Sequence, residues 1–310
     1  MEPTSREPLD GSRDDVGSSW GELAVSIIMP TRNRLPLLLR QVAAVRRQRC
    51  TRPWELIVVD NGSTDGTQAA ITAIHNADAR VRLLEATERA DAAYARNSGA
   101  AGTSAPLLAF IDDDDVVGER WLQALLDALD EHELVASNME YDVLNTPDVM
   151  DGWPLTGRDR LLSVDGRSVS TGHVGIRRDL WDRLGGQTEG LTVGEDMEMT
   201  VRAGAEFGAA PFLATDATYH RQLPTALRGA YRQGRRDGRG RIEVTLQQRG
   251  LTATLTTTGR WLAARLFWLA TRLPAACAGR RRFLWSLRCG ELVGTTRALI
   301  NARHGPVTPR

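Results

Sequence analysis

The sequence predicts an α/β protein: a Rossmann-like, mostly parallel sheet flanked by helices, with a basic helical extension at its C-terminal end. Three observations point there. Short apolar runs alternate with helix-period patterns from residue 24 onward, as in strand, crossover helix, strand units. One run, LLAFIDDDD (107–115), carries a buried strand straight into four carboxylates, at the strand end where open α/β sheets place their ligands. From Pro224 onward the pattern turns helical and rich in Arg.

In order, AVSIIMP (24–30) reads as the first strand, followed by a helix over 36–48. ELIVVD (55–60) is the second strand, with a helix over 66–76, and VRLLEA (81–86) the third, with a helix over 91–102. PLLAFID (106–112) is the fourth. A helix over 118–132 places Trp121, Leu122, Leu125, Leu126 and Leu129 on one apolar face. ELVASNMEYDVL (133–144) reads as one strand, and 145–168, with its Pro and Gly residues, as a long loop. VSTGHVGIRR (169–178) is strand-like, EDMEMTVRAGAEFG (195–208) helical, and PFLATDATYH (211–220) a further strand. The helical tail is expected to break near 250 and over 274–280. This divides the chain into a polar, disordered leader (1–22), an α/β catalytic domain (23–222) and an Arg-rich helical extension (223–310).

Of the 310 residues, 42% are hydrophobic and 25% charged, an ordinary globular composition. The net charge of zero hides an asymmetry: residues 1–220 hold 21 Arg against 36 acids, and residues 221–310 hold 18 Arg against 3. There is no Lys. Cys50, Cys277 and Cys289 are too few and too scattered for a disulfide framework or a zinc site, so a reducing cytoplasm is the expected compartment. The first 22 residues lack the apolar core of a signal peptide, and no stretch approaches the roughly 20 apolar residues that span a bilayer. A peripheral position at the inner face of the cell membrane stays open.

Four adjacent aspartates, 112–115, repel one another unless a cation sits among them, and hard divalent ions take oxygen ligands from carboxylates and substrate phosphates. The simpler reading is an acidic turn in which Asp114 or Asp115 caps the following helix. MPTRNR (29–34) and VVDNGSTDGT (58–67) follow the first two strands as loops fit for a nucleotide; the second is equally good turn chemistry. Glu195 and Asp196 open a helix, where acids are favoured by the dipole, yet they also form a second carboxylate cluster that divides naturally from the first into base and metal site. His220 ends a strand just before the Arg-rich segment.

Taken in order, VSIIMPTRNR, ELIVVDNGSTDGT, ARNSGA (95–100), FIDDDD and GGQTEGLTVGEDMEM (185–199) closely resemble the family 2 glycosyltransferases of GT-A fold, over about residues 24–222. The resemblance implies a nucleoside-diphosphate sugar donor, usually UDP-linked, contacted by Pro30, Thr31, Asn33, Asp60, Arg96, Asp112 and Asp113. It maps the DXD motif onto Asp112-Asp113-Asp114, with Mn²⁺ or Mg²⁺ on Asp112 and Asp114 and His220 as a further ligand. It maps the ED motif onto Glu195-Asp196, with Asp196 as general base for an inverting transfer to an acceptor hydroxyl on a glycan, a lipid-linked sugar or a small molecule. Gln187 stands where relatives carry an aromatic residue. Cell-surface polysaccharide, glycolipid and natural-product glycosylation are all within its reach.

In YRQGRRDGRGR (231–241), Arg232, Arg235, Arg236 and Arg239 share one helical face, either solvated or closing over the diphosphate or acceptor through Arg232 and Arg235. Trp153, in the loop 145–168, is a candidate for the acceptor side. RWLAARLFWLATRL (260–273) carries Leu262, Leu266, Leu269 and Leu273 on one stripe, which suits an anionic membrane surface, packing on the catalytic domain, or a homodimer contact. A nucleotidyltransferase would want a Gly-rich phosphate loop after the first strand, and none is there. A nucleic-acid-binding protein would leave both carboxylate clusters idle and shows no motif, so nucleic acid is not an expected partner.

Overall fold

The computed structural model describes residues 22–153, 172–191, 193–277 and 281–303. The first half alternates strands β1 (Val25–Thr31), β2 (Trp54–Asp60), β3 (Val81–Glu85) and β4 (Leu107–Ile111) with helices α1 (Leu35–Arg46), α2 (Thr67–Ala77) and α3 (Ala92–Ala101). Then follow β5 (Val116–Val117), α4 (Trp121–Leu129), β6 (Leu134–Glu140), α5 (Pro147–Gly152), β7 (His173–Arg177), α6 (Arg178–Leu184), α7 (Glu195–Phe207) and β8 (Phe212–His220). Two helices close the chain, α8 (Leu227–Cys277) and α9 (Arg282–Arg303).

The eight strands make one sheet in the order β3-β2-β1-β4-β7-β6-β8-β5. The pairs β1–β2, β1–β4, β2–β3 and β6–β8 are parallel, while β4–β7, β6–β7 and β5–β8 are antiparallel. Side chains alternate across a strand, so Ile27 and Met29 of β1 enter one core with Leu38, Val42 and Trp121, while Ile28 enters a second with Phe110, Trp181 and Met199. Both faces are covered, which is why β1 and β2 are almost continuously apolar. β1 has β2 on one side and β4 on the other, so the chain reverses its direction of winding there. Ligands of open α/β sheets bind at that crevice, outside the carboxyl ends of the strands.

The boundaries differ from expectation in several places. α4 begins at Trp121 rather than 118, and its N-cap residue, Arg120, makes no side-chain capping bond, so no aspartate of 112–115 serves that end. β6 stops at Glu140. The segment expected as a long loop holds the short helix α5, which Pro147 opens, and 154–171 lie outside the described residues. The strand expected over 169–178 begins at His173 among the described residues and gives way to α6 at Arg178. The leader 1–22 lies outside the described residues apart from Glu22.

α8 is helical from Leu227 to Cys277, and a straight helix of that length would measure about 75 Å. It is not straight. The Arg241 guanidinium lies 4.8 Å over the Trp261 ring, 20 residues on, and Glu291 of α9 meets both the Gly238 backbone and Arg265. The path therefore turns back between 241 and 261, yet the helix is unbroken through 250 and through Pro274, where breaks were expected. The two limbs of α8 and α9 form an up-down-up bundle. Its seam depends on glycine: a Cβ at Gly238 would overlap the Glu291 carbonyl oxygen, and one at Gly290 the Tyr231 carbonyl oxygen. Trp153 joins this bundle to the sheet domain, buried with its indole N–H donating to the Pro224 carbonyl (3.1 Å) and its ring stacked on Phe283. It packs in an interface, not on an open acceptor surface.

Candidate active site

The carboxyl ends of β1, β2 and β4 bring three loops together. After β1, Thr31 donates its hydroxyl to Asp113 Oδ2 (2.7 Å), and Arg34 Nη1 donates to Asp113 Oδ1 (3.3 Å) and Asp114 Oδ2 (2.5 Å). Asn33, held at φ +55°, accepts from the Thr64 N–H (2.7 Å) and donates its own N–H to Ser63 Oγ (3.0 Å). Pro30 is half-buried beside them in β1. Asp60, at the tip of β2, is fully buried: Oδ1 accepts from the Ser63 N–H (2.9 Å) and Oδ2 from Gln68 Nε2 (3.0 Å). A base or ribose contact at Asp60 would share the carboxylate with Ser63 and Gln68.

The aspartates after β4 divide into distinct environments. One oxygen each from Asp112, Asp114 and Asp115 lies within 4.8 Å of the other two. That is close to the span of about 4.2 Å between opposite ligands of an octahedral Mg²⁺ shell, and an all-oxygen donor set suits Mg²⁺ or Mn²⁺. Asp113 turns inward to Thr31, and burial pushes its carboxyl up to about 6. Burial pushes the Asp115 carboxyl up, against the pull of Arg221. Burial opposes ionisation of Asp112 as well, but Arg96, with His173 and Arg221 adding to it, holds that carboxyl below its ordinary value. His173, at the start of β7, is buried and pushed down to about 3, hence neutral; its Nδ1 sits 3.7 Å from Asp115, and its ring stacks on Tyr219.

His220 stands apart from this cluster. It pairs with Val116 across the β8–β5 ladder, and its Nδ1 lies 3.5 Å from Glu140. The third carboxylate beside Asp112 and Asp114 is Asp115.

Arg96 ties the two acidic motifs together. It is 5% exposed; Nη2 donates to Asp112 Oδ1 (2.8 Å), and Nη1 donates to Glu195 Oε1 (2.9 Å) and lies 3.5 Å from Gln187 Oε1. Glu195 is raised by burial, with Arg96 opposing and Asp196 adding to the rise. Asp196 sits in the first turn of α7, where its Oδ1 accepts from the Met197 N–H (2.7 Å). Gln187 is buried, and its backbone is clamped by Asn97, which accepts from the Gln187 N–H and donates to its carbonyl.

A cavity of about 560 Å³ opens beside the aspartates, lined by Arg34, Asp114, Asp115, Arg221, Arg232 and Arg236 among others. The expected Arg face is split. Arg232 and Arg236 border the cavity, the Arg235 backbone packs against Gly290 and Gly294 of α9, and Arg239 pairs with Glu243. Sequence reasoning counted Asp115 among the four aspartates but not as the third of the converging set, and did not single out Arg34 in the first loop; Arg221 and Asn97 it missed, since they acquire a role only through long-range packing.

The sequence model of the family described as "Glycosyl transferase family 2" matches residues 26–182. The glycosyltransferase AglE of Haloferax volcanii is 28% identical over 184 residues, covering 58% of this chain and 60% of that protein. The chain thus spans less than two thirds of that relative. Among solved structures, the mannosyltransferase PcManGT of Pyrobaculum calidifontis, in complex with GDP-Man and Mn²⁺, superposes with a TM-score of 0.62 at 20% identity, over 89% of this chain and 86% of that one. TarS 1–349 of S. aureus in complex with UDP gives 0.51 at 18% identity, over 92% of each. The fold is of the GT-A type, and the chain belongs to glycosyl transferase family 2.

Proposed function

We propose that this member of glycosyl transferase family 2 transfers a sugar from a nucleoside-diphosphate sugar, UDP-linked, to an acceptor hydroxyl with inversion, using a divalent cation. The observation that supports the reading is the Arg96 bridge, which holds Asp112 and Glu195 on one guanidinium and so brings the two acidic motifs together. The donor's nucleotide lies across the ends of β1 and β2, against Pro30, Thr31, Asn33 and Asp60, with Asp113 holding Thr31 in place.

Asp112 and Asp114 are the residues to hold Mn²⁺ or Mg²⁺, with Asp115 the nearest third carboxylate; His220, whose Nδ1 lies beside Glu140, would offer Nε2 as a further ligand. The cation, when bound, supplies positive charge to the departing diphosphate. Asp196 takes the proton of the attacking hydroxyl, and Glu195, fixed by Arg96, orients the turn that carries it. A single displacement, with acceptor and leaving group on opposite faces of the sugar, inverts the anomeric centre. Arg232 borders the cavity beside Asp114, where it can face the diphosphate or the acceptor. Arg235 and Trp153 act by supporting that wall through α9 and Pro224.

Thermal-shift titration with UDP- and GDP-sugars, each with Mn²⁺, Mg²⁺ or a chelator, tests this. A shift that needs both a UDP-sugar and the cation supports the reading. Equal shifts with and without the chelator overturn the metal role, and no shift from any nucleoside-diphosphate sugar overturns the donor class.

A further inference from the structure

The bundle formed by α8 and α9 buries a charged cluster and leaves an apolar stripe outside. Its interior holds charge beside apolar Ile242, Leu269, Leu287 and Leu299: Glu291, 3% exposed, lies between Arg265 (2.9 Å) and Arg288 (2.6 Å), and buried Thr295 donates to the Gly238 carbonyl. Its exterior holds hydrocarbon. On the second limb of α8, Ala263, Leu266, Phe267, Ala270, Leu273, Pro274 and Cys277 are all exposed, Phe267 at 73%, Leu266 at 54% and Leu273 at 45%. Their spacing places them on one helical face. α9 covers a different face of that limb, where the Trp285 indole donates to the Leu269 carbonyl (3.0 Å) and Arg265 turns in to Glu291. No other described element covers the stripe.

A contiguous apolar face of this kind marks a place where another body docks. The charge around it says which. Between Glu243 and Glu291 the sequence has no Asp or Glu in 47 residues and eight Arg. Arg272 is exposed on the same limb as the stripe. Arg265 and Arg288 are held by Glu291 and Arg282 by Asp148; the rest of the stretch offers guanidinium and no acid, so an apolar face on it suits the boundary between acyl chains and anionic headgroups. No helix among the described residues is long and apolar enough to cross a membrane.

We infer that the second limb of α8 docks the protein on anionic phospholipid through Leu266, Phe267 and Leu273. The first limb of the same helix carries Arg232 and Arg236 to the cavity beside Asp114, so the docked bundle also forms one wall of the candidate active site. This extends the proposed transfer to an acceptor presented at a membrane surface, but the docking itself needs neither donor nor acceptor.

Flotation of the full chain with phosphatidylcholine vesicles, and with vesicles mixing phosphatidylcholine and phosphatidylglycerol in equal parts, tests it apart from any sugar transfer. The protein should float with the mixed vesicles, less so with phosphatidylcholine alone. Phe267→Ser should lower the partition coefficient by about tenfold, and Leu266→Gln with Phe267→Ser further still. Both residues are exposed, so the variants should keep the wild-type melting temperature. Failure of the wild type to float with either vesicle, or flotation unchanged in the double variant, overturns the inference. So does a concentration-dependent dimer in light scattering that the double variant abolishes, since that would make a second copy the occupant.

Discussion

Arg96 donates to Asp112 at 2.8 Å from a guanidinium almost wholly withdrawn from solvent, and its other terminal nitrogen is committed to Glu195 at 2.9 Å. The end of β4 and the start of α7, 83 residues apart, are therefore joined through one side chain of α3. Removing it would leave two partly buried carboxylates facing each other without a counter-charge.

Arg96→Gln should accordingly cost about 3–5 kcal/mol of stability, the range for breaking a buried ion pair from one side. Arg96→Lys should recover only part of it, because one ammonium cannot fork to both carboxylates as the planar guanidinium does. Urea unfolding of the three proteins measures both. A melt indistinguishable from wild type in Arg96→Gln would show that the bridge carries no weight.

Asp196→Asn should lower turnover by roughly 10²–10⁴, the usual worth of a general base, while cation-dependent nucleotide affinity stays near wild type. Asp114→Ala should do the reverse, weakening the nucleotide only when Mn²⁺ is present. Calorimetric titration with and without the cation, beside a donor-consumption assay, separates the two.

Asp237, in the first limb of α8, is pushed up to about 6 by burial and by Glu291, with Arg221, Arg236 and Arg241 opposing. An acid whose folded value lies above its unfolded one stabilises the protein at low pH and loses that contribution as pH rises through the folded value. Between about pH 4 and pH 7 the wild type should lose on the order of 2 kcal/mol that Asp237→Asn does not. Urea melts across that range report the difference; parallel curves would place the effect elsewhere.

Gly238→Ala should destabilise the bundle by about 1–3 kcal/mol, since the new methyl group overlaps the Glu291 carbonyl oxygen. Gly259→Ala, where nothing lies within 4 Å, should gain up to about 1 kcal/mol from helix propensity. Opposite signs for the two glycines in thermal melts are the expected result.

The first half of the fold was legible because β1, β2 and β4 are buried on both faces and read as almost continuous apolar runs, from AVSIIMP to LLAFI. The two-residue strand β5 left no period to detect. The junction after β4 announced a carboxylate site, but not which aspartates converge. Asp113 turns to Thr31, 82 positions away in sequence, and that choice belongs to the packing of β1 against β4. The helical spacing of the four Arg after Tyr231 was real, yet α9 claims the backbone at Arg235 and leaves Arg232 and Arg236 on the cavity. Periodicity names a face; only the neighbour decides what that face meets.

The cross-bonds between the loops after β1 and β2 bear on how tightly a donor can be held. Asn33 grips the Thr64 N–H, Ser63 grips the Asn33 N–H, and Asp65 accepts from the Leu35 N–H at 2.9 Å, before any nucleotide arrives. The conformational entropy of these two segments is thus surrendered during folding, not at the moment of association, and affinity for the nucleotide is not diminished by having to order its own cradle.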